Sequence, residues 1–547
     1  MENKLTFFIL IAILILAFCL RYVDPSSRAD LQPFFDASVY PLSAYNLFQH
    51  HIYGVKFLGQ YYLPQYPFGY PLLIIPFYII FGSQPYNAVY CSLFFSLLSI
   101  VFAYLIGKEL GNRFTGLMAA LFVALCPKHI ELSKYILTET SSVFFTLLIC
   151  WLLLKVIYLD SKKQRLLLLF LGLVTGFSVL VHLTNCLLIP PILISLLLLG
   201  RKSNPWSILK KETIILLGII LALIPLFLYQ FHTFGSPLRT GYQMTAPEFY
   251  GKFKCFSFKF FAHPYYHPGW ERGNSPVYLF ALTGLEKPFY PVSVIPLILG
   301  GVLFILSERR EHNKQMTFLI FSSILVISLF VFFSFYYWQD SRFLLRGVPL
   351  LMILAACGVT FLMDKGIPKS LTKGSIFSIT ISSLLLMSII QMAYWSSQPE
   401  SLPWIPDRQY RIIQYINKHI PNNAVIISYF SNPLTAEYYF TENTTADIRV
   451  YISLSIPKKS WAGKGQVKLI RYDPTIKYSF LFLPDGTLNP KTYNFIGLTL
   501  KKGVPVYLVH LRYEAVCIKF FPMVNRYFST IEQNGDGILF RLYRKDW

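Results

Sequence analysis

The sequence predicts a polytopic α-helical membrane protein of about eleven transmembrane helices, carrying an external mixed α/β domain at its C-terminal end. Three observations carry that prediction. Of the 547 residues, 54% are hydrophobic and only 14% are charged, whereas water-soluble domains carry about 25% charged residues. Apolar runs of membrane-spanning length recur along the first 393 residues. Much of the formal net charge of +22 sits in short basic segments between those runs, a pattern of topology and anionic lipid rather than of nucleic-acid binding.

A hydrocarbon core about 30 Å thick needs roughly 20 apolar residues in a helix. Runs of that kind lie at 5–23, 86–106, 114–134, 136–158, 166–182, 183–200, 213–230, 288–306, 316–337, 343–363 and 374–393. Only Pro127–Lys128–His129 and nearby charges separate the third run from the fourth, which marks one of them as short or broken. The run 71–81 is too short to span and reads as a re-entrant or interface-lying segment. At the N-terminus, Lys4 precedes an apolar run from Leu5 to Leu20, but Arg21–Tyr22–Val23 offers no small-residue cleavage site. An uncleaved first span is expected.

Eleven spans put alternate connections on one side. The connections 107–113, 159–165, 201–212, 307–315 and 364–373 are all rich in Lys and Arg and poor in acids. Short basic loops stay in the cytoplasm, so the N-terminus is expected inside. The longer segments 24–85 and 231–287 then lie outside, in a transmembrane unit covering 1–393, and so does the tail 394–547. That tail combines an amphipathic helical pattern at 408–418 with β-rich runs at Ala424–Tyr429, Tyr478–Leu483, Val506–Val509 and Ile538–Tyr543. Cys19, Cys91, Cys126, Cys150, Cys186 and Cys357 fall in apolar stretches and read as small buried hydrophobes.

Ionisable residues gather at the external ends of the spans rather than at their centres. Work at the membrane–water boundary, on a substrate with a lipid end and a polar end, fits that distribution better than transport does. Asp36, within Pro33–Phe34–Phe35–Asp36–Ala37–Ser38–Val39–Tyr40, is the leading candidate for a base; a helix N-cap or a solvated loop acid is the plain alternative. Glu139 stands at the external mouth of a span, where it either faces a polar cavity or pairs with Lys134 or Lys128. Glu131 is close enough in sequence to join it. Arg342 opens the tenth span beside Asp340 and suits a bidentate phosphate contact or a local ion pair. Lys56 is a second candidate cation for a phosphate. Neither Asp-x-Asp nor His-Glu-x-x-His occurs, and no Gly-rich phosphate loop is present, so no metal or nucleotide cofactor is expected.

Five stretches resemble the polyprenyl-phosphate-dependent membrane glycosyltransferases of the GT-C type, which include protein O-mannosyltransferases, lipid A aminoarabinose transferases and lipopolysaccharide-core enzymes. They are Leu20–Arg21 with Phe35–Tyr40, Tyr66–Leu72, Leu132–Glu139, Tyr229–Pro237 and Arg342–Leu350. The resemblance covers roughly 5–393 and implies an inverting transfer at the external face. A sugar would pass from a polyprenyl-phosphate-linked donor to a hydroxyl of a glycan, lipid or protein acceptor. It further implies Asp36 as general base, Glu139 as an orienting acid, and Arg342 with Lys56 as cations for the donor phosphate. The chain departs from the family pattern in three places. Ala37 follows Asp36 where Asp-Glu is common, His182–Leu183–Thr184–Asn185 replaces an Arg-Pro pattern, and Gln230 stands where Asn is usual. Two other readings stay open: a lipid-linked glycan transporter or flippase, and a non-catalytic scaffold presenting 394–547.

Overall fold

The structure is a computed structural model. It describes residues 2–31, 36–57, 60–156, 161–199, 205–245, 250–258, 260, 282, 289–307, 312–337, 340–365, 383, 385–394, 408–419, 425–428, 438, 451–453, 501, 503, 506–511, 529–533 and 540–544. Of the sequence expectations, Pro33, Phe34, Phe35 and the strand at Tyr478–Leu483 lie outside those residues.

The chain is a polytopic α-helical membrane protein. Helix α1 (Glu2–Arg21) is the first span, and α2 (Asp36–His50) and a hairpin of β1 (Val55–Phe57) with β2 (Gln60–Tyr62) follow it. Then come α3 (Gly69–Phe81), α4 (Val89–Leu110), α5 (Arg113–Ala124), α6 (Pro127–Ser133), α7 (Thr138–Val156) and α8 (Ser161–Val181). A 3-10 turn at Leu183–Leu188 leads to α9 (Ile189–Leu199), α10 (Pro205–Phe234) and the short α11 (Gly241–Thr245). Helices α12 (Ile295–Ser307), α13 (His312–Ser334), α14 (Val348–Lys365) and α15 (Leu385–Tyr394) complete the bundle.

Among the described residues, six helices are long and apolar enough to cross a membrane, or seven if α5 and α6 count as one span bent by 59°. The break falls at Pro127, where the missing N–H and the ring end the helix. The expected run 71–81 becomes α3, a helix of 13 residues and therefore short for a span.

Burial sorts the bundle into centre and rim. The α7 window is 78% buried and that of α1 only 17%, so α7 is wrapped by other helices while α1 turns Phe7, Phe8, Ile15 and Phe18 outward. An apolar rim of that kind is what lipid requires. Close helix contacts are made through glycine. A Cβ on Gly172 would lie 2.2 Å from Ile215 O, and one on Gly218 2.5 Å from Leu169 O, so α8 and α10 meet backbone to backbone. Gly301 and Gly358 do the same for α12 and α14, with a Cβ at 1.9 Å from Leu354 O and Leu297 O respectively. Small residues at such crossings replace the hydrophobic driving force that lipid does not supply.

Arg21 closes the break in the bent span. It is 1% exposed at the end of α1 and donates to Ala124 O at 2.8 Å and Val123 O at 3.1 Å, carbonyls in the last turn of α5. Its Nε donates to Ser96 Oγ at 2.7 Å. The described part of the tail holds α16 (Arg408–His419) and a five-stranded sheet. Its strands are β3 (Val425–Ser428), β4 (Tyr451–Ser453), β5 (Val506–Leu511), β6 (Ser529–Gln533) and β7 (Phe540–Arg544), in the order β4-β3-β5-β7-β6. The β4-β3-β5 pairs are parallel and the β5-β7-β6 pairs antiparallel. Asp30 Oδ1 accepts from the Tyr410 amide at 2.7 Å, which joins the segment after α1 to the first turn of α16.

Of the cysteines read as buried, Cys91, Cys126, Cys150 and Cys357 are, but Cys19 and Cys186 are exposed. An apolar stretch on the lipid-facing rim is exposed on the protein even though it avoids water, which is why hydrophobic context misplaced these two.

Candidate active site

The site is built where short turns and helix starts converge. Asp36 is the first residue of α2, and Glu139 is the second residue of α7. Acids in a first helical turn are favoured by the free amides and dipole there. Arg342 lies in a 3-10 turn, Ser341–Leu344, that precedes α14. Asp340 caps this turn by accepting from the Arg342 amide at 3.0 Å.

Arg342 gathers the acids. Its Nη2 is 3.2 Å from Asp36 Oδ2, and its Nε is 3.5 Å from Glu139 Oε1 and 3.3 Å from Asp340 Oδ2. The arginine side chain is 7% exposed, Glu139 12% and Asp36 25%, which leaves Asp36 the more accessible of the two proposed catalytic acids. Burial disfavours the charge on Arg342. The surrounding carboxylates, Glu139 first, then Asp36 and Asp340, outweigh it and hold the guanidinium above its ordinary value. Of the two readings of Glu139, a polar cavity or an ion pair with Lys134 or Lys128, the structure shows an ion pair, but with Arg342. Lys128 instead engages Glu131 at 3.0 Å, which takes Glu131 out of the cluster as well. Lys56 lies on β1 opposite Tyr61, outside the ion pairs that Arg342 makes.

Tyr66 holds the other oxygen of Asp36. Its hydroxyl donates to Asp36 Oδ1 and accepts from Gln65 Nε2 at 2.7 Å. Its carbonyl accepts from the Tyr53 hydroxyl at 2.7 Å. The Tyr66 ring packs on Tyr40 at 4.8 Å and Tyr242 at 5.7 Å. Burial, then the Asp36 charge, raises the Tyr66 hydroxyl well above the usual phenol range, so it stays a proton donor. The same two causes raise Tyr242. Backbone packing fixes this wall. A Cβ on Gly69 would lie 2.4 Å from Leu180 O, and one on Gly241 2.6 Å from Gln65 O, so the loop carrying Tyr66 is gripped from both sides.

A carboxylate offers about four lone-pair directions. Tyr66 and Arg342 take one on each oxygen of Asp36, and the remaining two are available to a hydroxyl. The cluster can therefore hold the Asp36 carboxyl group in a fixed orientation. Among the described residues, no group of three or more His, Cys, Asp or Glu side chains is placed to hold a metal ion.

Sequence reasoning named Asp36, Glu139 and Arg342, which the structure brings together, and left Tyr66, Tyr242 and Arg346 without roles. Arg346 is 5% exposed; its Nη1 donates to Asn185 Oδ1 at 2.9 Å and its Nη2 to Thr184 Oγ1 at 2.7 Å. The available signal was an arginine inside an otherwise apolar run, a position that lipid makes costly.

The fold has known counterparts. Residues 65–229 match the family described as dolichyl-phosphate-mannose-protein mannosyltransferase, a stretch that includes Tyr66 and Glu139. Among solved structures, the chain is similar to ArnT from Cupriavidus metallidurans bound to undecaprenyl phosphate. The TM-score is 0.57 at 13% identity, over 99% of this chain and 98% of that one. It is similar to the archaeal oligosaccharyltransferase AglB from Archaeoglobus fulgidus, in complex with an inhibitory peptide and a dolichol-phosphate. There the TM-score is 0.58 at 13% identity, over 100% of this chain and 74% of that one. A third likeness is to the arabinofuranosyltransferase AftD from Mycobacteria, with a TM-score of 0.52 at 12% identity, over 100% of this chain and 40% of that one. A sequence search of curated proteins finds no match. These likenesses show the fold: the chain shares the GT-C fold of those solved structures.

Proposed function

We propose that this protein is an inverting glycosyltransferase that moves a sugar from a polyprenyl-phosphate-linked donor to a hydroxyl of a glycan, lipid or protein acceptor. The observation that carries the reading is the meeting of Asp36 and Glu139, from the first turns of two different helices, on the buried Arg342. In this account the acceptor oxygen bonds to the anomeric carbon while its proton passes to Asp36. The bond from that carbon to the phosphate oxygen breaks, and its electron pair leaves with the lipid phosphate. Asp36 contributes the roughly 10²–10⁴-fold typical of a general base. Glu139 balances Arg342 and helps to orient the acceptor.

The reaction belongs to the external membrane face. The basic connections of the expected eleven-span arrangement support this reading, since they favour a cytoplasmic N-terminus and with it an external segment 24–85 that carries Asp36. The tail 394–547 is then an external mixed α/β domain. Transport of a lipid-linked glycan is the weaker reading, because the acids named here collect at helix starts rather than at mid-span.

Mass spectrometry of lipid-linked sugars and surface glycans tests the reading in cells with the chain present, absent or carrying Asp36→Asn. Expected are the loss of one glycan modification and accumulation of its donor in both the absent and Asp36→Asn cells. An unchanged glycan with Asp36→Asn at normal protein level sinks the proposed base.

A further inference from the structure

A 3-10 turn, Pro25–Arg28, leads from the first span into Ala29, Asp30 and Leu31, ahead of Asp36. Connections between helices normally run over the surface, but this one is buried, with Arg28 6% and Asp30 4% exposed. Leu31, buried beside them, holds a φ of 51°, a left-handed conformation that a residue other than glycine adopts at a cost. Its amide donates to Arg28 O at 2.9 Å and closes the turn. Backbone strain of this kind persists only where the surroundings over-determine it.

The two buried charges reach different parts of the chain. The Arg28 guanidinium lies 5.0 Å over the Tyr135 ring, an attraction that gains from desolvation. Tyr135 sits between α6 and α7, just before the turn that presents Glu139. Asp30 Oδ1 accepts from the Tyr410 amide. Tyr410 is the third residue of α16, so this amide is one that a helix start leaves without an internal partner. A carboxylate there also meets the positive end of the helix dipole. Asp30 therefore caps the first helix of the tail from the segment after α1. Ile413 and Ile416 of that helix are buried in the same core as residues of α2 and α7. A second contact from the tail reaches α2 itself, where the Tyr438 ring meets Tyr45 edge to face at 4.9 Å.

We infer that Arg28 and Asp30 are positioning residues, through which α16 and Tyr438 brace the starts of α2 and α7 and so fix Asp36 relative to Glu139. The roles of those two acids rest on the glycosyltransferase reading; the brace itself does not.

Hydrogen exchange and transfer are read separately on the full-length chain in nanodiscs. Wild type, Asp30→Ala, Asp30→Asn, Arg28→Gln and Tyr438→Leu are compared, with melting temperature as the check on folding. Transfer uses the lipid-linked donor pool extracted from cells lacking the chain, with envelope material from the same cells as acceptor. Asp30→Ala and Tyr438→Leu are expected to speed exchange in α2, and Arg28→Gln in the first turn of α7, while α12 stays unchanged. Asp30→Ala and Arg28→Gln are expected to lower kcat about tenfold at unchanged acceptor KM, because misplaced acids slow chemistry more than binding. Asp30→Asn keeps an oxygen for the Tyr410 amide and should retain most of the rate. With Asp36→Asn already present, Asp30→Ala should cost less than in wild type, since its effect runs through Asp36. Arg28→Gln and Tyr438→Leu carry the result if Asp30→Ala does not fold. Equal losses with and without Asp36→Asn mean a general loss of structure and overturn the positioning role, as does wild-type kcat in every folded variant. Unchanged exchange in α2 and α7 overturns the brace, whatever the activity. A wild type that makes no product overturns the glycosyltransferase reading, and exchange still decides the brace.

Discussion

Asp36 is made useful by what holds its two oxygens. Tyr66 donates to one and Arg342 to the other, so the group faces an acceptor in one orientation. Tyr66→Phe is therefore expected to slow transfer by about tenfold, the order of one hydrogen bond to a charged group. The Tyr66 hydroxyl keeps donating at alkaline pH, because burial and the Asp36 charge hold it protonated. Transfer by Tyr66→Phe at the wild-type rate contradicts its role in holding Asp36. Glu139 and Arg342 are legible in the sequence as ionisable groups near the ends of apolar runs, and Asp36 as an acid among aromatic residues in the segment after the first run. Their meeting is not, because Asp36 and Arg342 stand 306 positions apart. Tyr66 reads only as one aromatic among several, since a phenol carries no mark in the sequence of where its hydroxyl points. The place where the resemblance fails, His182–Leu183–Thr184–Asn185, is also where Arg346 arrives from another element.

At the scale of elements, the site depends on helices that approach more closely than side chains normally permit. Helix α14 follows directly from the Arg342 turn and is set against α12 through Gly301 and Gly358. Gly358→Ala places a methyl 1.9 Å from Leu297 O, so the pair must separate. The expected cost is about 1–3 kcal/mol, seen as a lower melting temperature in detergent and reduced activity. Gly251→Ala, with nothing within 4 Å of the added atom, serves as the control and should leave both unchanged. Most helices of the bundle are legible from apolar length, and the bend between α5 and α6 from Pro127–Lys128–His129. The extents of the spans are less so. Where composition predicts back-to-back spans at 166–182 and 183–200, the chain forms a 3-10 turn at Leu183–Leu188 and the eleven-residue α9. An apolar run gives the length of chain that avoids water, not the points at which its hydrogen bonding changes.

At the scale of the molecule, α7 sits inside the bundle and presents Glu139 from its first turn, while α2 brings Asp36 in from the segment after α1. The contact between Asp30 and the Tyr410 amide joins that same segment to the tail. The tail therefore shares a support with the loop that carries Asp36. The arrangement makes sense if a sugar is transferred beside Arg342, and it has no evident use in a scaffold. The most direct measurement gives the donor pool extracted from cells lacking the chain to purified protein in nanodiscs, with cell-envelope material as acceptor. Free polyprenyl phosphate and transferred sugar are then quantified together. The account predicts that wild type produces both in equal amounts, and that Asp36→Asn does so at least about 10²-fold more slowly. Turnover by Asp36→Asn at the wild-type rate, or a donor pool left intact by well-folded wild-type protein, would contradict it.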